Sequence, residues 1–97
     1  MKFKSITSLL FAIASLGIAL PVLATPAVLV GQETGSRVNV RVIPSTRSDS
    51  PHYGLVGDRV EVIRQTEGRD GFTWYYVEFS SGARGWIRSD FVRFLAN

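Results

Sequence analysis

The 97-residue sequence contains no cysteine and a single histidine, His52. Without cysteine the chain can form no disulfide, no thiolate metal site and no thiol nucleophile, and it offers no acceptor for a lipid-modified N-terminus. One histidine between Pro51 and Tyr53 does not supply the ligand spacing of a metal site. There is no Gly-x-Ser-x-Gly elbow to go with it, so a nucleophilic triad is missing two of its parts. The eight acidic residues fall in no recognisable glycosidase arrangement. The chain is therefore expected to be no enzyme and to hold neither cofactor nor metal. Lysine is almost missing too: it occurs only at Lys2 and Lys4.

Those two lysines belong to a short basic start. Residues 6–20 are mostly Leu, Ile, Ala and Phe, Pro21 then breaks any helix, and Val22-Leu23-Ala24 places small or aliphatic residues where a signal peptidase cuts. This is the layout of a secretory signal peptide over residues 1–24. Pro21 also stops the apolar run short of the roughly 20 residues that a membrane span needs. Cleavage is expected after Ala24, with Ala27 as the other possible site. The mature protein is then secreted or periplasmic and has no contact with the membrane. Eleven Lys+Arg against eight Asp+Glu give the full chain +3; losing Lys2 and Lys4 leaves nine arginines against eight acids, a net of +1. A nucleic-acid surface needs a marked positive excess gathered on one face. Here the arginines are spread among acids, so no nucleic-acid partner is expected.

An exported domain without disulfides must hold together by packing. The mature part has the rings for it in Trp74, Trp86, Tyr53, Tyr75, Tyr76, Phe72, Phe79, Phe91 and Phe94. No stretch shows helical periodicity. Short β-favouring runs separated by turn residues predict strands at 27–31, 37–40, 54–56, 60–66, 73–79, 84–88 and 92–94. Thr25-Pro26 reads as a flexible lead-in, which divides the chain into a signal peptide (1–24), a lead-in and first strand (25–36) and the remaining domain (37–97), the folded unit starting near residue 27. Ile63 breaks the alternation set by Val60 and Val62 and predicts a twist or bulge. Strands so many and so short favour a barrel, which removes exposed edges.

Five separated pieces, in order, give the sequence a family resemblance. They are Val38-Asn39-Val40-Arg41 with Pro44-Ser45-Thr46, Gly57-Asp58-Arg59-Val60-Glu61-Val62, Trp74-Tyr75-Tyr76-Val77, Gly82-Ala83-Arg84-Gly85-Trp86-Ile87, and Ser89-Asp90-Phe91-Val92. Together they resemble the bacterial SH3-like (SH3b, SH3 type 3) domain, and the likeness covers essentially the whole mature chain. The resemblance implies an all-β, SH3-like barrel of five to seven short antiparallel strands with one short 3-10 turn near the C-terminus. It also marks Asn39, Arg41, Gly57, Asp58, Gly85 and Trp86 as fold-signature positions. Gly57 and Gly85 are expected to need positive φ or a close backbone approach. Asn39 and Asp58 are expected to fix turns, and Arg41 to pin a loop by pairing with an acid. The sequence departs from the family in three places. Val42-Ile43 replaces a small pair before Pro44, residues 67–72 lengthen a hairpin loop, and Arg88 stands where eukaryotic SH3 domains carry proline.

The resemblance further implies an exported binding module of the cell envelope, with a cell-wall peptide or an envelope protein as partner. Alternation along 73–79 puts Tyr75, Val77 and Phe79 on one face and Trp74, Tyr76 and Glu78 on the other. Tyr53, Trp74, Tyr76 and Phe91 are the candidate ligand-binding rings, Trp74 being assigned to a binding face and Trp86 to the fold. The other function class is a structural or self-assembling envelope domain without a small ligand, acting by oligomerisation or as an accessory to an enzyme. The oligomeric state is left open.

Overall fold

The computed structural model describes residues 21–95. Residues 1–20, most of the expected signal peptide, lie outside the described residues. Seven strands follow in order: β1 (Pro21–Leu29), β2 (Arg37–Val40), β3 (His52–Leu55), β4 (Arg59–Glu67), β5 (Thr73–Phe79), β6 (Arg84–Arg88) and β7 (Val92–Phe94). One turn of 3-10 helix, Ser89–Phe91, stands between the last two. A five-stranded antiparallel sheet runs β6-β5-β4-β1-β7, and β2 and β3 form a separate hairpin. Arg41 and Trp86 join the two sheets by exchanging backbone N–H···O bonds, each 2.9 Å long. The result is the small all-β barrel that the resemblance implied.

Local sequence explains most of this. In β2 the alternation Arg37-Val38-Asn39-Val40 buries the two valines and exposes the polar pair. β4 does the same with Val60 and Val62. Beyond them its ladder with β5 shifts register: Val62 lies opposite Val77, but Arg64 opposite Tyr76. The extra residue is Ile63, and the bulge bends the strand out of alternation, as predicted. At the start of β4, Asp58 accepts a 3.0 Å bond from the Leu55 N–H, and Gly57 takes φ +105° in the turn they enclose. Asp58 and Gly57 thus have the turn-making roles expected of them.

The core consists of Ala27, Leu29, Val38, Val40, Val60, Val62, Val77 and Ile87, with Tyr75, Phe79 and Phe91 packed against it. Each of the Val, Leu and Ile side chains among them, taken fully out of water, contributes about 1.5–3 kcal/mol. Five of the eight are valines, whose branched side chains suit a pleated surface.

Three strands differ from their expected bounds, β4 by only one residue at each end (Arg59–Glu67 against 60–66). Thr25 and Pro26 are not a loose lead-in but part of β1, opposite Val62 and Glu61. β4 is long enough to extend its ladder past the apolar residues that made β1 recognisable. β1 in turn stops at Leu29, two residues early, where the 55–58 turn closes on it: the Gly57 N–H donates to the Leu29 carbonyl. β3 lies at His52–Leu55 rather than 54–56, because its pairing with β2 ends at Leu55 and the chain turns there.

Candidate functional site

Residues 68–72, the hairpin loop between β4 and β5, settle the fate of Trp74. The ring lies on the β5 face away from the core, yet it is only 1% exposed. The loop folds back over it. The Gly68 N–H donates to the Phe72 carbonyl (2.8 Å), and a Cβ at Gly68 would come within 2.6 Å of the indole Nε1. Asp70 ties the loop down. Its carboxylate accepts from the Phe72 N–H (3.3 Å), from the Thr46 N–H and hydroxyl (3.4 and 3.3 Å), and from the indole Nε1 (3.5 Å). Desolvation is the largest single influence on this carboxylate and raises its pKa, but the four donors together outweigh it and the pKa is lowered.

The assignment of Trp74 to an exposed binding face therefore needs correction. Alternation correctly placed the ring on the outer face, but the hairpin loop just before it in the chain folds back and covers that face. Trp86, at 9%, is no more deeply buried. Its ring lies across the strands from Tyr76, 5.1 Å between centroids, and the Arg64 guanidinium sits 4.9 Å from Tyr76 on the other side.

Beside the edge of Trp74 opens a groove of about 230 Å³, lined by Arg37, Val38, Asn39, Arg41, Thr46, Trp74, Arg88 and Phe91. β2 supplies one wall. Arg37, Asn39 and Arg41 are spaced two apart, so an extended strand turns all three the same way, opposite to buried Val38 and Val40. The Arg37 guanidinium lies 4.1 Å from the centre of the Tyr53 ring. Arg41 donates from Nη1 to the Ser48 carbonyl at 2.8 Å. It pins the 42–50 loop as expected, but through a carbonyl and not an acid. Asn39, expected to fix a turn, is instead exposed in mid-strand opposite Tyr53.

The other wall comes from the end of β6 and the 3-10 turn. Arg88 holds Asp90 in a two-point contact, Nε to Oδ1 at 2.7 Å and Nη2 to Oδ2 at 3.0 Å. Its guanidinium also lies 4.3 Å from the Phe72 ring centre and 5.4 Å from that of Phe91. The bond from Arg88 lowers the Asp90 pKa and raises that of Arg88. Proline in place of Arg88 would provide neither contact.

Of the four candidate rings, the groove brings together Trp74, as part of its floor, and Phe91. Tyr53 borders it only through Arg37, and Tyr76 lies elsewhere on the outer face. Sequence reasoning missed Arg37, Thr46 and Arg88 as groove residues. The alternation of β2 was enough to group Arg37 with Asn39 and Arg41; nothing local connects these to Thr46 or Arg88.

Among the described residues no three of His, Cys, Asp and Glu gather as metal ligands, and no helix is long and apolar enough to cross a membrane. The family model described as "Bacterial SH3 domain" matches residues 36–93, a span that includes every groove residue. No curated protein and no solved structure matches the chain.

Proposed function

The chain belongs to the bacterial SH3 domain family, a family of binding modules, and on that premise we propose that it is an exported binding module of the cell envelope. Its partner is a cell-wall peptide or a segment of an envelope protein, received by the groove between β2 and the 3-10 turn. The observation that carries this reading is the groove itself. Polar side chains from β2, the 42–50 loop and β6 converge there over a buried indole. A concave site with a few converging polar groups is the usual form of a ligand site.

Export rests on the sequence of residues 1–24. The pairing of β1 favours cleavage after Ala24 over Ala27. The first removes the opening residues of β1, Pro21–Ala24, but keeps Thr25 and Pro26 opposite Val62 and Glu61, while the second also removes Ala27, a fully buried core residue paired to both β4 and β7.

Titration of the purified chain with soluble peptidoglycan fragments, followed by tryptophan fluorescence, tests the function. A saturable change that Asn39→Ala weakens supports the groove. Concentration-dependent light scattering with no response to fragments or to envelope extract would favour the self-assembling class instead.

A further inference from the structure

We propose that the groove is built for an acidic peptide, whose carboxylates meet Arg37 and Arg41. This rests on the binding-module reading above and specifies the chemistry of its ligand.

Three arginines line the groove, but they are not equivalent. Arg88 is taken by Asp90. Arg37 and Arg41 take part in no ion pair among the described residues, where only Arg84–Glu78 and Arg88–Asp90 occur. Arg37 is exposed and braced by the Tyr53 ring, which leaves the edge of its guanidinium and its N–H donors open. Arg41 spends one N–H on the Ser48 carbonyl, so that its position is fixed while donors remain. A guanidinium held in place loses little rotamer freedom on binding, and its planar fork matches a carboxylate. Between the two, Asn39 exposes an amide able to donate to and accept from a peptide backbone.

The spacing suits an extended ligand. Four residues of strand separate the Cα atoms of Arg37 and Arg41 by roughly 13 Å, about the length of four extended peptide residues. The acids nearby are already committed. Asp70 accepts from Thr46, Phe72 and Trp74, and Asp90 is held by Arg88. Both remain negative at the groove's rim, which opposes a continuous polyanion such as a nucleic acid but leaves room for discrete carboxylates placed against Arg37 and Arg41.

The test uses the purified chain and a fluorescent hexapeptide with two glutamates, its C-terminus amidated, against the same peptide with glutamines. The acidic peptide should bind about five- to tenfold more tightly in low salt, with the difference shrinking as salt is added. Arg37→Gln should remove about two- to fivefold of that preference without moving the melting temperature, because Arg37 is exposed. Arg93→Gln, on exposed β7 away from the groove, should change neither. A third peptide with glutamines and a free C-terminal carboxylate separates a chain terminus from acidic side chains as the source of the charge. Equal affinity for acidic and amide peptides would overturn the proposal while leaving a peptide-binding groove. An Arg93→Gln loss matching that of Arg37→Gln, or preference for an oligonucleotide over the acidic peptide, would also overturn it.

Discussion

Gly85→Val tests how the two sheets are joined. Gly85 is buried in β6 opposite Val77. A Cβ there would collide with Val40 Cγ1 and come within 3.2 Å of the Arg41 carbonyl oxygen. Neither neighbour can give way freely. Val40 is fully buried in the core, and the Arg41 carbonyl is accepting the Trp86 N–H at 2.9 Å. Forcing Val40 off its rotamer costs about 1–3 kcal/mol. If the β2-β3 hairpin moves away instead, the two bonds between Arg41 and Trp86 lengthen, at about 0.5–1.5 kcal/mol each. The better strand propensity of valine returns less than about 1 kcal/mol. Whichever way the strain is relieved, the expected net loss is about 0.5–2.5 kcal/mol. At roughly 4–8 °C per kcal/mol for a domain of this size, the melting midpoint should drop by about 2–20 °C. Thermal unfolding followed by tryptophan fluorescence reads this directly. Val40→Ala removes the methyl group that collides, so combining it with Gly85→Val should cost less than the sum of the two single changes. An unchanged midpoint for Gly85→Val, or strict additivity of the pair, would refute the close approach of β2 to β6.

Trp74→Ala and Trp86→Ala should both destabilise the domain, each by about 3–5 kcal/mol in chemical denaturation, because both rings are buried; a Trp74→Ala variant as stable as wild type would mean that the 68–72 loop does not pack on the indole. Asp70 and Asp90 have lowered pKa values, so their contribution to stability is fully present above the ordinary carboxylate range and is lost as pH falls through about 4 toward their folded values. The melting midpoint of Asp70→Asn should therefore vary less with pH below about 4 than that of wild type, and parallel curves would count against the clasp between Asp70 and Thr46. Mass spectrometry of the exported protein should find Thr25 as its first residue; finding intact Met1, or Val28 first, would contradict the expected cleavage.

Much of the architecture was readable because β structure writes a period of two into the sequence wherever one face is buried. Val38 and Val40, Val60 and Val62, and the split of 73–79 into Tyr75/Val77/Phe79 and Trp74/Tyr76/Glu78 all follow that period, and β2, β5, β6 and β7 have the predicted bounds. Even the bulge at Ile63 showed as a break in alternation. Strand ends were less clear, since they depend on how far a partner's ladder reaches: β1 runs through Thr25 and Pro26 only because β4 continues opposite them.

The site was settled at a different level. Alternation tells which way a side chain points from its strand, not what covers it there. Trp74 does point away from the core, but Gly68 and Asp70, carried by a loop with no periodicity of its own, close over it. In the same way, Asn39 and Arg41 carried a family signature that gave no sign of the groove they line. What the amino-acid sequence determined by itself is therefore the strands, their buried faces, the turn at Gly57-Asp58 and the family. The tertiary structure alone decided that Arg37 and Arg41 meet Thr46, Trp74, Arg88 and Phe91 around one groove. The physical reason is that a strand pattern records contacts two residues apart, whereas the groove depends on loops and strands that are separated by tens of residues and meet only when the sheets close.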